Sequence, residues 1–442
     1  MDTQHNARRA GLGRREMLRL AGLSGLAATL PACGRGFGGK GGDDSRTELN
    51  MVWWGDAQRA GFTQKSLDLF QRAHPDIRVK TEYQDSSPYK DKLAARFAAG
   101  NPPDLLAMRF DSLREYGDRG ALLDLAPHSD ALDLSGLTTP ARALGQVGQQ
   151  TFGVPSGLNT IGFIVDKTLT DKYGVTIPDG DTWSWEQLTA FAKQVTKASG
   201  GRVYGTNFEV WTVANLLVFA RQRGEDFFTT DGRLGATVGT VTAWFELARR
   251  MRADGALPPA GFIDPNIGSS PSQSYLAKKA IASQILPTNN LLGWNQVCGG
   301  NLVLLRIPGE TGGARRGQSI DTPALWSIAA KSAHPQETLL LLNFLINDVE
   351  AAKATGTTRG VPASSKVAEA ISASLAPDDK RAGDFLASLQ KEKLPPSYPY
   401  PKGASKLTNA LKTISTEIEF GRETPAGGAS KFIAEARKAI TA

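Results

Sequence analysis

Cysteine occurs twice in 442 residues, which rules out a disulfide framework and a multi-cysteine zinc site. Histidine occurs four times, and no G-x-S-x-G, H-E-x-x-H or Cys–His arrangement is present, so the common hydrolase templates are missing. Outside the first 32 residues no apolar run approaches the ~18 residues that a spanning helix needs. The longest, Leu339–Ile346, is eight residues and contains Asn343. The formal charge of +7 is not spread along the chain: residues 1–32 carry five Arg and two acids, leaving 46 basic against 42 acidic residues beyond them. No basic run is interleaved with aromatics, so a nucleic-acid partner is not expected. The composition, 40% hydrophobic and 21% charged, is that of a globular chain. At about 150 residues per domain, its length points to two or three domains.

The N-terminus has the three parts of an export signal. Arg8, Arg9, Arg14, Arg15 and Arg19 form a basic stretch, Leu20–Leu30 an apolar one too short to span, and Leu30-Pro31-Ala32-Cys33 follows. Arg14-Arg15-Glu16-Met17-Leu18-Arg19 fits a twin-arginine signal, the alternative being the basic region of general secretion. The Leu-x-Ala-Cys end resembles a bacterial lipoprotein box, in which the Cys33 sulfur is lipidated and becomes the new N-terminus. Cys298 would then stand alone, as a buried small hydrophobe. Residues 34–46 are a Gly-rich flexible tether. Gly34–Lys40 fits the start of a phosphate loop, but Gly41 replaces the Ser or Thr that would hold magnesium, and no strand precedes it.

Beyond the tether the periodicities alternate. Thr47–Trp53 has Leu49, Met51 and Trp53 on one strand face. Phe62–His74 reads as a helix stopped by Pro75, Ile77–Tyr83 as a strand, Pro88–Ala99 as a helix closed by Gly100, and Asp104–Met108 as a short strand. This βαβαβ order argues for an α/β layer with a largely parallel sheet. Phe152–Pro155 and Thr160–Val165 are strand-like. Ser184-Trp185-Glu186-Gln187 is a capping box opening a helix. Thr237–Ala253, Pro335–Ile346 and Ala429–Ala442 are further helices, and 254–274 and 394–405 read as loops.

Several stretches carry a resemblance. Val52-Trp53-Trp54-Gly55-Asp56, His74-Pro75-Asp76-Ile77-Arg78-Val79, Tyr89–Leu93, Gly100-Asn101-Pro102-Pro103-Asp104 and Gly120–Leu125 come first. Gly153–Val165, Trp183–Val195, and Leu325–Val361 with its Lys331-Ser332-Ala333-His334-Pro335 run follow. Together they resemble the extracellular solute-binding proteins of bacterial ABC importers, carbohydrate-binding group, the family that includes maltose-binding protein. Leu276–Ile281 departs from the family pattern and leaves the 265–300 wall unassigned.

The resemblance implies a periplasmic-binding-protein type fold, α/β, class II-like, with two lobes joined by hinge strands around a central cleft. The expected layout is a signal peptide over 1–32, a lipid-anchored tether over 33–46, one lobe over 47–155 plus 320–358, and the other over 156–319 plus 359–442. It also implies a monomer on the outer face of the cell membrane that closes on a sugar and delivers it to ABC permease subunits, with no cofactor, no metal and no chemistry on the ligand.

A sugar offers hydroxyls around a ring with apolar faces, so its site needs aromatic platforms and planar hydrogen-bonding groups. In open α/β sheets ligands bind at the C-terminal strand ends. There the chain has Trp54, Asp56 and Arg59, with Trp54 facing the cleft if Trp53 faces the core, and Asp111 after the third strand. Asn159 follows the first crossing, Glu209 and Trp211 precede a helix, Asn290 and Trp294 form another polar–aromatic group, and Arg359 lies at the return crossing. For each, the alternative is a packed, solvated or capping residue. A secreted glycoside hydrolase, drawing its acid pair from Asp56, Asp104, Asp111 and Glu115, is the competing function, and a sugar-binding sensor or adhesin another.

Overall fold

The computed structural model describes residues 46–262 and 271–441. The expected export signal, Cys33, nearly all of the expected tether and part of the 265–300 wall lie outside the described residues.

The first sheet begins as expected, with β1 (Thr47–Trp54), α1 (Ala57–Ala73), β2 (Ile77–Gln84), α2 (Ser86–Ala98) and β3 (Leu105–Met108). β1 pairs in parallel with β2 and β3. It lies inside the sheet, and Leu49, Met51, Val52 and Trp53 are all buried. α1 starts five residues before the apolar periodicity, because the Asp56 carboxylate accepts the Arg59 backbone N–H at 2.8 Å and caps it. Parallel order stops at β3. Leu325–Ile328 lies antiparallel against β3 and on its other side against Val154–Pro155, completing five strands.

Two of the motif stretches that carry the resemblance, Gly100–Asp104 and Lys331–Pro335, meet at Asp104. Its carboxylate accepts the Asn50 backbone N–H at 2.8 Å and the Ser332 hydroxyl at 2.6 Å, while its carbonyl accepts the Ala329 N–H at 3.2 Å. One short side chain thus ties β1, β3 and the segment after Leu325–Ile328 together, which accounts for an acid at that position.

The second sheet is antiparallel throughout: Ile161–Asp166 lies between Ser283–Pro287 and Leu302–Leu305. Beside it packs an aromatic core that includes Trp183, Trp185, Phe208, Trp244 and Phe245. The helix Trp185–Ala198 opens with the complete capping box, Ser184 and Gln187 each bonding the other's backbone. The last helix, Pro425–Thr441, starts four residues earlier than its apolar pattern. Cys298 is buried, and burial pushes its thiol up to about 11, so it packs as an unreactive hydrophobe.

The sheets are joined by adjacent crossings. Asn159 and Asp321 exchange backbone hydrogen bonds at 2.9 and 2.8 Å, and Leu158 and Val361 exchange them at 2.6 and 2.8 Å. A Cβ on Gly157 would lie 2.3 Å from the Arg359 carbonyl, so glycine lets the two segments touch. The expected return to the second lobe at 359 comes too early. Ala363 packs in the core of the first sheet and the Ser365 N–H bonds the Gly136 carbonyl at 3.0 Å, so the chain stays there beyond 365. The helix Pro377–Gln390 then touches both bodies: Leu386 packs in the core of the first sheet, while Ala382 packs with Leu302 of the second, whose carbonyl accepts from Arg381 at 2.8 Å.

Candidate functional site: a cleft between two sheets

Between the two sheets lie adjoining chambers of about 340 and 310 Å³, which share Trp54, Arg59, Pro287, Asn289 and Asn290 as walls. These volumes suit small ligands. The first wall comes from the C-terminal ends of β1 and β3, which supply Trp54, Arg109 and Phe110. Asn289 and Asn290, just after Ser283–Pro287, build the facing wall with Tyr398 and Tyr400 from the 394–405 loop. The crossings at Asn159 and Asp321 line the larger chamber as well.

Strand alternation sorts the two tryptophans. Trp53 is buried at 1% exposure, whereas Trp54 is half-buried in the cleft wall. The Trp54 ring leans on Tyr89 at 5.4 Å, and Arg109 lies over it at 5.9 Å. Tyr89 is pinned by its hydroxyl to the Ala107 carbonyl at 2.7 Å. Arg59 reaches across from α1 to Asn290 Oδ1 at 3.3 Å, and Gln58 reaches Gln296 at 3.1 Å. The Asn159 amide donates to Asn289 Oδ1 at 2.9 Å, and Asn289 donates in turn to the Thr358 carbonyl at 3.3 Å. Three segments distant in sequence therefore hold the planar amides in place.

The other expected residues fall differently. Asp56 lines the smaller chamber, but its carboxylate is engaged as the cap of α1. Glu209 and Trp294 also line that chamber, and Glu209 accepts the Thr212 hydroxyl at 2.9 Å. Asp111 lines neither chamber. It sits behind Arg109, paired at 3.3 Å; burial pushes its carboxyl up, but Arg109 and the Ser112 hydroxyl outweigh this and hold it below the usual range. Trp211 lines a separate cavity of about 300 Å³, its ring under Lys412 at 5.3 Å. Arg359 faces away from both chambers. It is stacked on Trp326 at 4.7 Å and Trp53 at 5.4 Å and donates to the Thr63 hydroxyl at 2.8 Å. Burial, with the neighbouring Arg59 charge, pulls its guanidinium well below the ordinary value.

Of the acids proposed for a glycosidase pair, each is held by a structural partner. Asp56 caps α1, Asp104 ties the sheet, Asp111 pairs with Arg109, and Glu115 bonds Arg119 at 2.7 Å.

Several cleft residues were not anticipated. Tyr398 and Tyr400 alternate with Pro399 and Pro401 in a stretch read only as a loop. Aromatics set between prolines on an extended backbone were the available signal. The Tyr400 ring stands edge-on to Phe110 at 5.3 Å and against Phe228 at 4.9 Å. Asp321 had no local signal. Burial raises its carboxyl to about 6, against the Thr322 N–H bond and the Arg221 charge. A ligand hydroxyl donating to Asp321 would favour its ionised form. Affinity is then expected to rise about tenfold between about pH 5 and 7 and level off above. Calorimetry across that range tests this; Asp321→Asn should flatten the profile, and an unchanged slope would exclude Asp321 as its source.

The fold and the cleft are those of a two-lobed solute-binding receptor, and the comparisons with known proteins agree. The chain belongs to the bacterial extracellular solute-binding protein family, whose model matches residues 65–382. A family 1 extracellular solute-binding protein from Alicyclobacillus acidocaldarius shares the fold at a TM-score of 0.65 and 27% identity, over 90% of this chain and 99% of that one. A periplasmic oligogalacturonide-binding protein from Yersinia enterocolitica, solved with saturated digalacturonic acid, superposes at a TM-score of 0.78 and 21% identity, with the same coverage. An uncharacterized lipoprotein from the oleD 5' region of Streptomyces antibioticus is 26% identical over 148 residues, 33% of this chain and 32% of that protein. The chain thus spans about a third of the length of this curated relative.

Proposed function

We propose that this protein is the extracytoplasmic substrate-binding lipoprotein of an ABC importer, which captures a sugar or oligosaccharide in the cleft and delivers it to a membrane permease. The observation that carries the reading is the composition of the cleft. Aromatic faces from the first wall (Trp54, Phe110) and the second (Tyr398, Tyr400) surround the planar groups Arg59, Asn159, Asn290 and Asp321. Rings stack on the former and hydroxyls bond the latter. The Yersinia enterocolitica protein, which shares the fold, binds an oligogalacturonide.

The mechanism is hinge closure about the crossings at 157–160 and 320–323 and the passage beyond about 372. The first lobe takes in 47–155 and 320 to about 372, and the second takes the rest. Closure brings the facing walls onto one sugar and changes the outer surface that the permease reads. Cys33 carries the lipid that keeps the receptor beside its permease, after export by the twin-arginine or the general route. The ligand leaves unaltered.

A thermal-shift screen of the full chain in detergent against mono- and oligosaccharides tests the reading. A ligand at about 100 times its Kd adds ~2.7 kcal/mol to stability, so a shift of several degrees is expected for at least one sugar. A blank screen alongside a shift with a non-sugar solute would overturn it. Release of a cleaved sugar would favour the glycosidase.

A further inference from the structure

Three arginines line the larger chamber, and their environments differ. Arg109 is paired with Asp111. Arg221 faces Asp226 at 3.8 Å and donates to Ser319 and to the carbonyls of Gly317 and Pro396. Arg59 has no carboxylate within 4.0 Å among the described residues. Among the described residues its single side-chain hydrogen bond goes to a neutral amide oxygen, Asn290 Oδ1, at 3.3 Å. Its Nε is sealed from solvent and has no partner. Asp56, the acid whose charge it feels most, is engaged by the Arg59 backbone N–H.

A second guanidinium lies behind it. Thr63, one turn along α1, donates to the Arg59 carbonyl at 2.8 Å and accepts from Arg359 at 2.8 Å. Arg359 also lacks a carboxylate within 4.0 Å among the described residues. The aromatic faces of Trp326 and Trp53 offset part of its charge, and no aromatic face among the described residues covers Arg59 in the same way.

We propose that the ligand is an acidic oligosaccharide and that a carboxylate on it pairs with Arg59; this rests on the sugar-receptor reading above. Holding a guanidinium partly out of water without a paired carboxylate is costly, and a site for neutral hydroxyls is served as well by an amide. Two neighbouring guanidiniums, neither paired with a carboxylate, raise the cost and set a positive potential at the cleft wall. A carboxylate supplies the missing charge, and its two oxygens match the guanidinium fork. Arg59 lines both chambers, so the acidic group sits where they meet, with room for a ring on either side. That position favours an oligomer over a single sugar acid.

The test is calorimetry on the full chain in detergent with galacturonate, glucuronate and mannuronate trimers, each beside its neutral methyl ester. At low salt at least one uronate is expected to bind on the order of 10- to 100-fold more tightly than its ester. The gap should narrow at high salt. Arg59→Met should close the gap and Arg59→Lys keep part of it, with the thermal melt showing that each variant is folded. If Arg59→Met fails to fold, Arg59→Gln takes its place. Equal binding, or preference for the ester, overturns the acidic ligand and leaves the sugar receptor standing. A gap that survives loss of Arg59 overturns the assignment of this residue. If neither set binds while a different neutral sugar does, the acidic ligand is overturned alone; if no sugar binds, both readings are.

Discussion

Cys33→Ala is expected to move the protein from the membrane fraction to the medium or the soluble fraction in full. The Leu30-Pro31-Ala32-Cys33 end resembles a lipoprotein box, in which the Cys33 thiol would be modified. An acyl chain contributes about 0.8 kcal/mol of membrane affinity per buried CH₂, so stable anchoring needs more than one chain. Alanine offers no sulfur, and the gain is lost entirely. Among the described residues no helix is long and apolar enough to cross a membrane, so these residues offer no second anchor of that kind. Fractionation and immunoblotting read the result. A variant that still sediments with membranes would remove the lipid anchor from the proposed function without touching the cleft.

Trp54→Ala is expected to weaken ligand binding by about 10- to 100-fold while leaving the fold intact, as suits a stacked ring contributing roughly 1.5–3 kcal/mol. The ring is preorganised. Tyr89 supports one side and is itself held by the Ala107 carbonyl, so little ordering is left to be done on binding. The neighbouring substitution is the control. Trp53 is 1% exposed within the core of the first sheet, and Trp53→Ala should cost about 3–5 kcal/mol of stability. Calorimetry with the sugar identified in the screen, beside urea unfolding of both variants, separates the two roles. Unchanged affinity in Trp54→Ala would assign the platform to another ring, Phe110 or Tyr400 being next in the wall.

The legible parts of this chain were those whose signal is local. The βαβαβ start shows because strand alternation and helix periodicity are properties of a few consecutive residues, and β1 buries the face that carries Leu49, Met51 and Trp53. The capping box at Ser184 is four residues long and forms as written. Helix starts without apolar periodicity were misplaced: α1 begins at an Asp cap, and Pro425–Thr441 begins with Gly427 and Gly428 in its first turns. Asp104 illustrates the middle ground. Its place at the start of a short strand is local, but its bond to Ser332 spans 228 positions.

The cleft divides along the same line. Alternation alone separates Trp53 from Trp54, because consecutive strand residues face opposite sides of a sheet. The expected export signal and lipid box are linear patterns, which are read without a fold. Only the tertiary structure decided that Arg359 lies behind the wall between two indoles, that Asp111 serves Arg109, and that Tyr398, Tyr400 and Asp321 reach the cleft. Which charges are compensated was likewise beyond the sequence. The acids and bases that meet across a fold are set by chain crossings hundreds of residues apart, and pairing in a buried site depends on distances of a few ångströms that no local pattern encodes.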